Sequence, residues 1–132
     1  MSASARELVK TLLAARNAGS SEQVRVLLAS DATYWDCLGG RVRGAEAVTE
    51  ALLASHAGRA PPRFMAETLA TGDRHAVIEL RVCDAEHSER PGYLATEVYE
   101  LRAGVIAECR AYLDPADVGA GHRVDAGGSR TG

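Results

Sequence analysis

The chain has 132 residues, 46% of them hydrophobic, and a formal net charge of −3. This length suits one domain with one core, and the charge provides no basic surface for nucleic acid. No apolar run approaches the roughly 20 residues of a membrane-spanning helix, so we expect a cytoplasmic protein with no membrane partner. Three dispersed cysteines, Cys37, Cys83 and Cys109, show no ligand spacing, so we expect neither a disulfide framework nor a metal or other cofactor.

The first half of the chain predicts helices around one strand. Apolar residues recur at helical spacing in three segments, which are residues 6–17, a short segment from Ser20 to Leu28, and residues 44–58. Between the second and third helix, β-branched and aromatic residues predict a strand over 31–37. Gly39 and Gly40 are expected to break that strand.

The second half predicts only strands. Short turn-like separators divide it into four extended segments, which are 63–70, 75–83, 93–101 and 105–113. Strands joined by such short connections are expected to form an antiparallel meander. Residues 119–132 are polar and rich in glycine, so we expect a domain over 1–118 and a flexible, dispensable tail.

This order of elements favours an α+β fold. We expect a cone-shaped, strongly bent, mostly antiparallel sheet with three helices packed on its concave side. Such a sheet encloses a pocket even in a small chain.

Several short motifs carry a family resemblance over about residues 5–116. They are Asn17-Ala18-Gly19, the run from Ser30 to Asp36, Val42-Arg43-Gly44, Gly104-Val105-Ile106 and the run from Arg110 to Asp114. In their order and spacing the chain resembles the nuclear transport factor two-like superfamily, which includes ketosteroid isomerase, SnoaL-type polyketide cyclases and limonene-epoxide hydrolase. The resemblance implies a pocket for a small apolar substrate and, commonly, a homodimer formed through the outer face of the sheet.

Only some of the catalytic residues of these families have a counterpart in this chain. Asp36 falls at the catalytic aspartate of ketosteroid isomerase, and Glu97 at its second acid. The position of that enzyme's tyrosine holds Leu12. Ala111 occupies the position where the cyclases and the epoxide hydrolase keep a catalytic carboxylate.

Asp36 is therefore our candidate general base, with Glu97 or Glu67 as the second acid. Alternation along the strands places Glu97 on one face with Tyr93, Ala95 and Tyr99, and Glu67 on one face with Met65 and Leu69. The alternatives are a turn-capping role for Asp36 and outer-face ion pairs for the glutamates. The predicted substrate pocket comprises Leu12, Tyr34, Trp35, Met65, Tyr99, Cys109, Ala111 and Leu113. Since Tyr34 and Trp35 are adjacent, only one of them is expected to face inward.

Three hypotheses for function follow. The first is a cofactor-independent enzyme that uses acid–base chemistry on an apolar substrate, by isomerisation, cyclisation or epoxide opening. The second is a non-catalytic protein that binds a hydrophobic metabolite. The third is a dimerising accessory domain without a ligand.

Overall fold

The computed structural model describes residues 4–54, 62–84 and 92–117. The main helices in these ranges are α1 (Ala5–Ala18), α2 (Ser21–Arg25) and α3 (Ala45–Leu53), and residues 115–117 are also helical. The strands are β1 (Leu28–Asp36), β2 (Gly40–Arg43), β3 (Pro62–Thr71), β4 (His75–Asp84), β5 (Tyr93–Arg102) and β6 (Val105–Leu113). The predicted tail over 119–132 lies outside the described residues. No helix in the described ranges has the length and apolar character needed to cross a bilayer.

The strands form one six-stranded mixed sheet in the order β2-β1-β6-β5-β4-β3. The predicted meander is confirmed, because β3, β4, β5 and β6 pair antiparallel in succession. Strand β1 joins the meander by parallel pairing with β6. The curved sheet stays unclosed, with β2 and β3 as its edges, and the predicted α+β class is confirmed.

Two predicted boundaries are wrong, and one strand was not predicted. Leu28 opens strand β1 and does not end the second helix, which stops at Arg25. After Gly39 the chain returns as the short strand β2, whose four residues are all exposed. Helix α3 ends at Leu53, with extended backbone at Ala54, and the predicted end near Gly58 lies outside the described residues.

Helix α1 is closed at both ends by local hydrogen bonds. At its start, the Ser4 side chain accepts from the Glu7 amide and the Glu7 carboxylate accepts from the Ser4 amide, which forms a capping box. At its end, Gly19 adopts the left-handed conformation with φ of 67° and its N–H donates to the final carbonyls. The helix buries one apolar stripe, with Leu8, Val9 and Leu12 among its members.

Asn17 ties the end of α1 to the edge strand β3. Its amide nitrogen donates to the Phe64 carbonyl at 2.9 Å, and its amide oxygen accepts from the Phe64 N–H at 2.7 Å. This pair satisfies backbone groups that an edge strand otherwise leaves open. It also fixes the last turn of α1 over the inner face of the sheet.

We predict that Asn17→Ala lowers the free energy of unfolding by about 1–3 kcal/mol, because two part-buried hydrogen bonds are lost. Urea denaturation measures the change. Gln23→Ala, at an exposed helical position, is the control and should change stability by less than about 0.5 kcal/mol. Equal effects of the two substitutions would show that the α1–β3 contact is not important for stability.

Candidate functional site

Two carboxylates flank a small residue on the inner face of the sheet. The strand register aligns Asp36 of β1 with Ala111 of β6, and Ala111 with Glu97 of β5. All three residues are buried. Since neighbouring strands lie about 4.8 Å apart, roughly 10 Å separates the backbones of the two acidic residues. The methyl group of Ala111 leaves space between them.

Asp36, Ala111 and Glu97 form one row of aligned residues across the three strands. Beside it lies a second row, in which two tyrosines take the places of the two acidic residues. Tyr34 aligns with Cys109, and Cys109 aligns with Tyr99. Burial is the first cause that raises the pKa of each of these three groups, and the negative charge of Glu97 adds to it. Both phenols therefore stay protonated and act as hydrogen-bond donors near neutral pH.

Asp36 is held by its own strand end and by Tyr34. Its Oδ1 atom accepts from the backbone N–H groups of Leu38, at 2.8 Å, and Gly39. Its Oδ2 atom accepts from the Tyr34 hydroxyl at 2.9 Å. Asp36 as a whole is 4% exposed. The turn-capping role that we considered as an alternative is thus present, together with an inward-facing position.

Glu97 forms a buried ion pair with Arg16 of α1. The guanidinium contacts both carboxylate oxygens, with Nη1 2.7 Å from Oε1 and Nη2 3.2 Å from Oε2. The Tyr99 hydroxyl also donates to Glu97. Both charged side chains are at most 4% exposed. A bidentate contact of this kind fixes orientation as well as charge.

The other contacts of Arg16 join helix α3 and strand β3 to the pair. The Nε atom donates to the Leu52 carbonyl at 2.7 Å, and the guanidinium lies 4.0 Å from the centre of the Phe64 ring. Burial alone would lower the pKa of Arg16, but the adjacent Glu97 carboxylate reverses this and raises it. Arg16 therefore remains a cation inside the fold.

A small cavity of about 20 Å³ lies between the helices and the inner face. This volume accommodates about one water molecule. Polar and aromatic groups meet aliphatic ones at its wall, and the lining residues are Arg16, Tyr34, Ala51, Ala54, Phe64, Val82, Tyr93, Ala95, Glu97, Ala111 and Leu113. Tyr34 thus belongs both to the cavity wall and to the hydrogen bonds of Asp36.

Comparison with known proteins places this site in a family. The model of the SnoaL-like domain matches residues 9–109, which include both acidic residues and Arg16. The chain belongs to the SnoaL-like domain family. No curated protein matches it.

Solved structures share the fold of this SnoaL-like chain at low sequence identity. A LEH-like epoxide hydrolase from Mycobacterium tuberculosis is 19% identical with a TM-score of 0.73, covering 92% of this chain and 91% of that one. A protein with a ketosteroid isomerase-like fold from Catenulispora acidiphila, in complex with trimethylamine, is 18% identical with a TM-score of 0.73, and the coverage is 91% and 94%. An NTF2-like protein of unknown function from Cytophaga hutchinsonii is 16% identical with a TM-score of 0.69, at 84% and 90% coverage. These likenesses concern the fold.

Several predicted site residues of the SnoaL-like domain do face inward. Asp36 and Glu97 are buried on the inner face, as predicted from the resemblance and the strand alternation. Their catalytic roles stay predictions. The same inner side holds most of the predicted pocket residues, which are Leu12, Tyr34, Tyr99, Cys109, Ala111 and Leu113.

The predicted inward position of Glu67 is wrong. Its side chain is 46% exposed and its carboxylate lies 3.4 Å from Arg81, which is the outer-face ion pair we considered as the alternative. The strand register shifts between Ala66 and Thr68. This bulge ends the simple alternation, so Glu67 does not share a face with the part-buried Leu69.

Two predicted pocket residues also lie on the outer face. Trp35 packs against Tyr112, with ring centroids 5.3 Å apart, while its neighbour Tyr34 faces inward. Met65 is paired with the part-exposed Arg81, whereas the adjacent Phe64 is buried and lines the cavity. Alternation along each strand explains both positions.

Arg16 is the main site residue that the sequence analysis missed. It lies one helical turn after the buried Leu12, and so continues the apolar stripe of α1. A charged residue at a core position needs a buried partner, and that signal was available. In the described ranges, no group of three or more His, Cys, Asp or Glu side chains is suited to a metal ion.

We predict that Glu97→Gln lowers the free energy of unfolding by about 3–5 kcal/mol, because it leaves the Arg16 cation buried without a counter-charge. Chemical denaturation at pH 7 measures the loss. Glu67→Gln is the matched control, because its ion pair is exposed and should contribute less than about 1 kcal/mol.

A double replacement covers the case in which Glu97→Gln does not fold. Removing both charges, as Arg16→Met with Glu97→Leu, should restore much of the stability that the single change loses. A Glu97→Gln protein as stable as Glu67→Gln would contradict this account of the ion pair.

Proposed function

We propose that this SnoaL-like protein is a cofactor-independent enzyme that moves a proton on a small, largely apolar substrate, with Asp36 as the general base. The observation that supports it most is the placement of the Asp36 carboxylate. It is buried on the inner face, and hydrogen bonds to both oxygens fix its orientation. A general base needs such a fixed position within reach of the proton that it removes.

The chemistry requires one base and one donor. Asp36 would take a proton from a carbon next to a carbonyl, or from a water that opens an epoxide, and would return it later to another atom. The substrate oxygen that gains electron density would face the Arg16 cation at the cavity wall, since the Tyr34 and Tyr99 hydroxyls already donate to Asp36 and Glu97. Isomerisation, cyclisation and epoxide opening all fit these two roles.

In this proposal Glu97 is the partner of Arg16 rather than the proton donor. The guanidinium contacts both of its oxygens and Tyr99 donates to one of them. Arg16 offsets the negative charge of Glu97. Charge repulsion between Asp36 and Glu97 is therefore no longer a reason to assign Glu97 as the acid. Glu97 and Arg16 would instead hold the inner wall of the pocket, which has to widen beyond the cavity of about 20 Å³ to admit a substrate.

The relatives agree with this class of chemistry. The structure from Mycobacterium tuberculosis is a LEH-like epoxide hydrolase, and the superfamily also includes isomerases and cyclases. These proteins are less than 25% identical to this chain, so they support the class and not the substrate.

Hydrogen exchange on carbon tests the proposal without knowledge of the product. The wild-type protein is incubated in D₂O with a panel of cyclic ketones, and the loss of hydrogens next to the carbonyl is followed by NMR. A parallel panel of epoxides is followed for diol formation. We predict that Asp36→Asn slows the reaction of any active compound by about 100-fold or more.

Glu67→Gln is the control, because it removes a carboxylate of the outer face and should leave the rate unchanged. An Asp36→Asn protein that keeps the wild-type rate would exclude Asp36 as the base. Binding of a compound with equal affinity by wild type and Asp36→Asn, without turnover, would support the alternative of a hydrophobic-metabolite binding protein. The commitment of Glu97 to Arg16 is the observation that favours this alternative.

The cellular location is proposed from the cysteines. Cys37, Cys83 and Cys109 are all free thiols, which is typical of a reducing compartment. We retain the cytoplasm as the proposed location.

We also infer a homodimer formed through the outer face of the sheet. That face exposes Leu94, which is 50% exposed, and Tyr112, which is 44% exposed and packs against Trp35. A groove of about 690 Å³ runs past both exposed side chains. Apolar groups in this arrangement are typical of a surface that a partner covers.

Sedimentation at micromolar concentration tests the dimer. Wild type should sediment as a dimer, and Leu94→Arg as a monomer, because the new cation lies close to Arg81 in the same groove. Val26→Arg is the control, since Val26 is exposed beyond the end of helix α2. A monomeric wild type, or a dimeric Leu94→Arg protein, would overturn the assignment.

A further inference from the structure

Tyr34 is the residue that connects Asp36 with the interior of the domain. Its side chain is 7% exposed and lines the small cavity together with Arg16 and Glu97. Its hydroxyl donates to Asp36 Oδ2 at 2.9 Å. Tyr34 and Asp36 lie two positions apart on the same face of β1. The strand backbone therefore positions both partners of this hydrogen bond.

The two oxygens of Asp36 are held in different ways. Backbone N–H groups of the turn between β1 and β2 hold Oδ1, while a side chain from the strand holds Oδ2. The backbone contacts persist in any variant that keeps the turn. The contact to Oδ2, in contrast, is removed by deleting one oxygen atom from Tyr34.

We propose that Tyr34 is the positioning residue of Asp36: its hydroxyl fixes the plane of the carboxylate and sets how readily that carboxylate takes a proton. This inference rests on the proposed function, in which Asp36 is the base. A hydrogen bond donated to the ionised form stabilises that form. It also holds the oxygen in one direction, and orientation is a large part of the efficiency of a base.

The surroundings of the pair suit this role. Burial raises the pKa of Tyr34, and the carboxylates of Glu97 and Asp36 add to the effect, so the hydroxyl remains a donor in the working range. The other ionisable groups that influence Tyr34 and its row are Glu97 and Tyr99 on β5, Cys109 on β6 and Arg16 on α1. Since the protonated phenol is neutral, the deletion of the Tyr34 hydroxyl removes its hydrogen bond to Asp36 without changing the net charge.

The test compares Tyr34→Phe with Tyr112→Phe. Both substitutions delete one phenolic oxygen, but Tyr112 lies on the outer face and is 44% exposed. The pH at which Asp36 titrates is measured by carbon-13 NMR of the carboxyl carbon, assigned with Asp36→Asn. The rate of hydrogen exchange on an active ketone is measured above the titration range of both proteins.

We expect Tyr34→Phe to raise the titration midpoint of Asp36 by roughly one pH unit, since it loses a donor to the charged form. The exchange rate should fall by about 10-fold even where Asp36 is fully ionised, because the carboxylate is less well oriented. Tyr112→Phe should change neither value. The titration midpoint of Asp36 distinguishes a positioning role of Tyr34 from a merely structural one. If the role were only structural, Tyr34→Phe would lower the melting temperature without changing that midpoint.

An unchanged midpoint in folded Tyr34→Phe, or an unchanged rate, would overturn the inference while leaving the proposed function intact. The proposed function fails separately if Asp36→Asn exchanges hydrogen as fast as wild type.

Discussion

The buried contact between Arg16 and Glu97 is the interaction on which the interior of this domain depends. It joins helix α1 to the centre of the sheet, and the Nε donation to Leu52 adds helix α3 to the same group. Two charges removed from water are tolerated only when each is paired and hydrogen-bonded. The bidentate geometry and the Tyr99 hydroxyl meet that requirement.

This ion pair divides the inner face into two halves. On the β5 side, Glu97 and Tyr99 are committed to Arg16. On the β1 side, Asp36 and Tyr34 form a second carboxylate–phenol pair, with Ala111 and Cys109 between the two sides. The first pair stabilises the domain, and the second is the one that we assign to chemistry. Similar residue types therefore have different roles, which their neighbours determine.

Much of the fold was predictable because it follows from local patterns. Turn-like separators and alternating apolar residues predicted the strands that form the meander, and helical spacing predicted α1. Strand β2 was missed because its four residues are all exposed, so no buried face marks it. Its pairing with β1 defines it, and pairing across a turn cannot be read from so short a segment.

The site was predictable only in part. The resemblance and the strand alternation both identified Asp36 and Glu97 as inward-facing. Glu67 was misplaced, because the register shift between Ala66 and Thr68 cannot be read from alternation. Arg16 was overlooked because the helical pattern was judged by its apolar members. The ion pair between Glu97 and Arg16 forms through packing between residues 81 positions apart in the sequence. Local sequence patterns do not predict such a long-range contact.

The most direct test of the central claim is a crystal structure of the protein with phenol, a planar mimic of an enol. We predict that phenol widens the cavity of about 20 Å³ and lies on the inner face, with its oxygen within about 3.2 Å of Asp36 or the Tyr34 hydroxyl and Arg16 still bound to Glu97. Phenol bound only on the outer face, or bound inside by the displacement of Glu97 from Arg16 with Asp36 untouched, would contradict it.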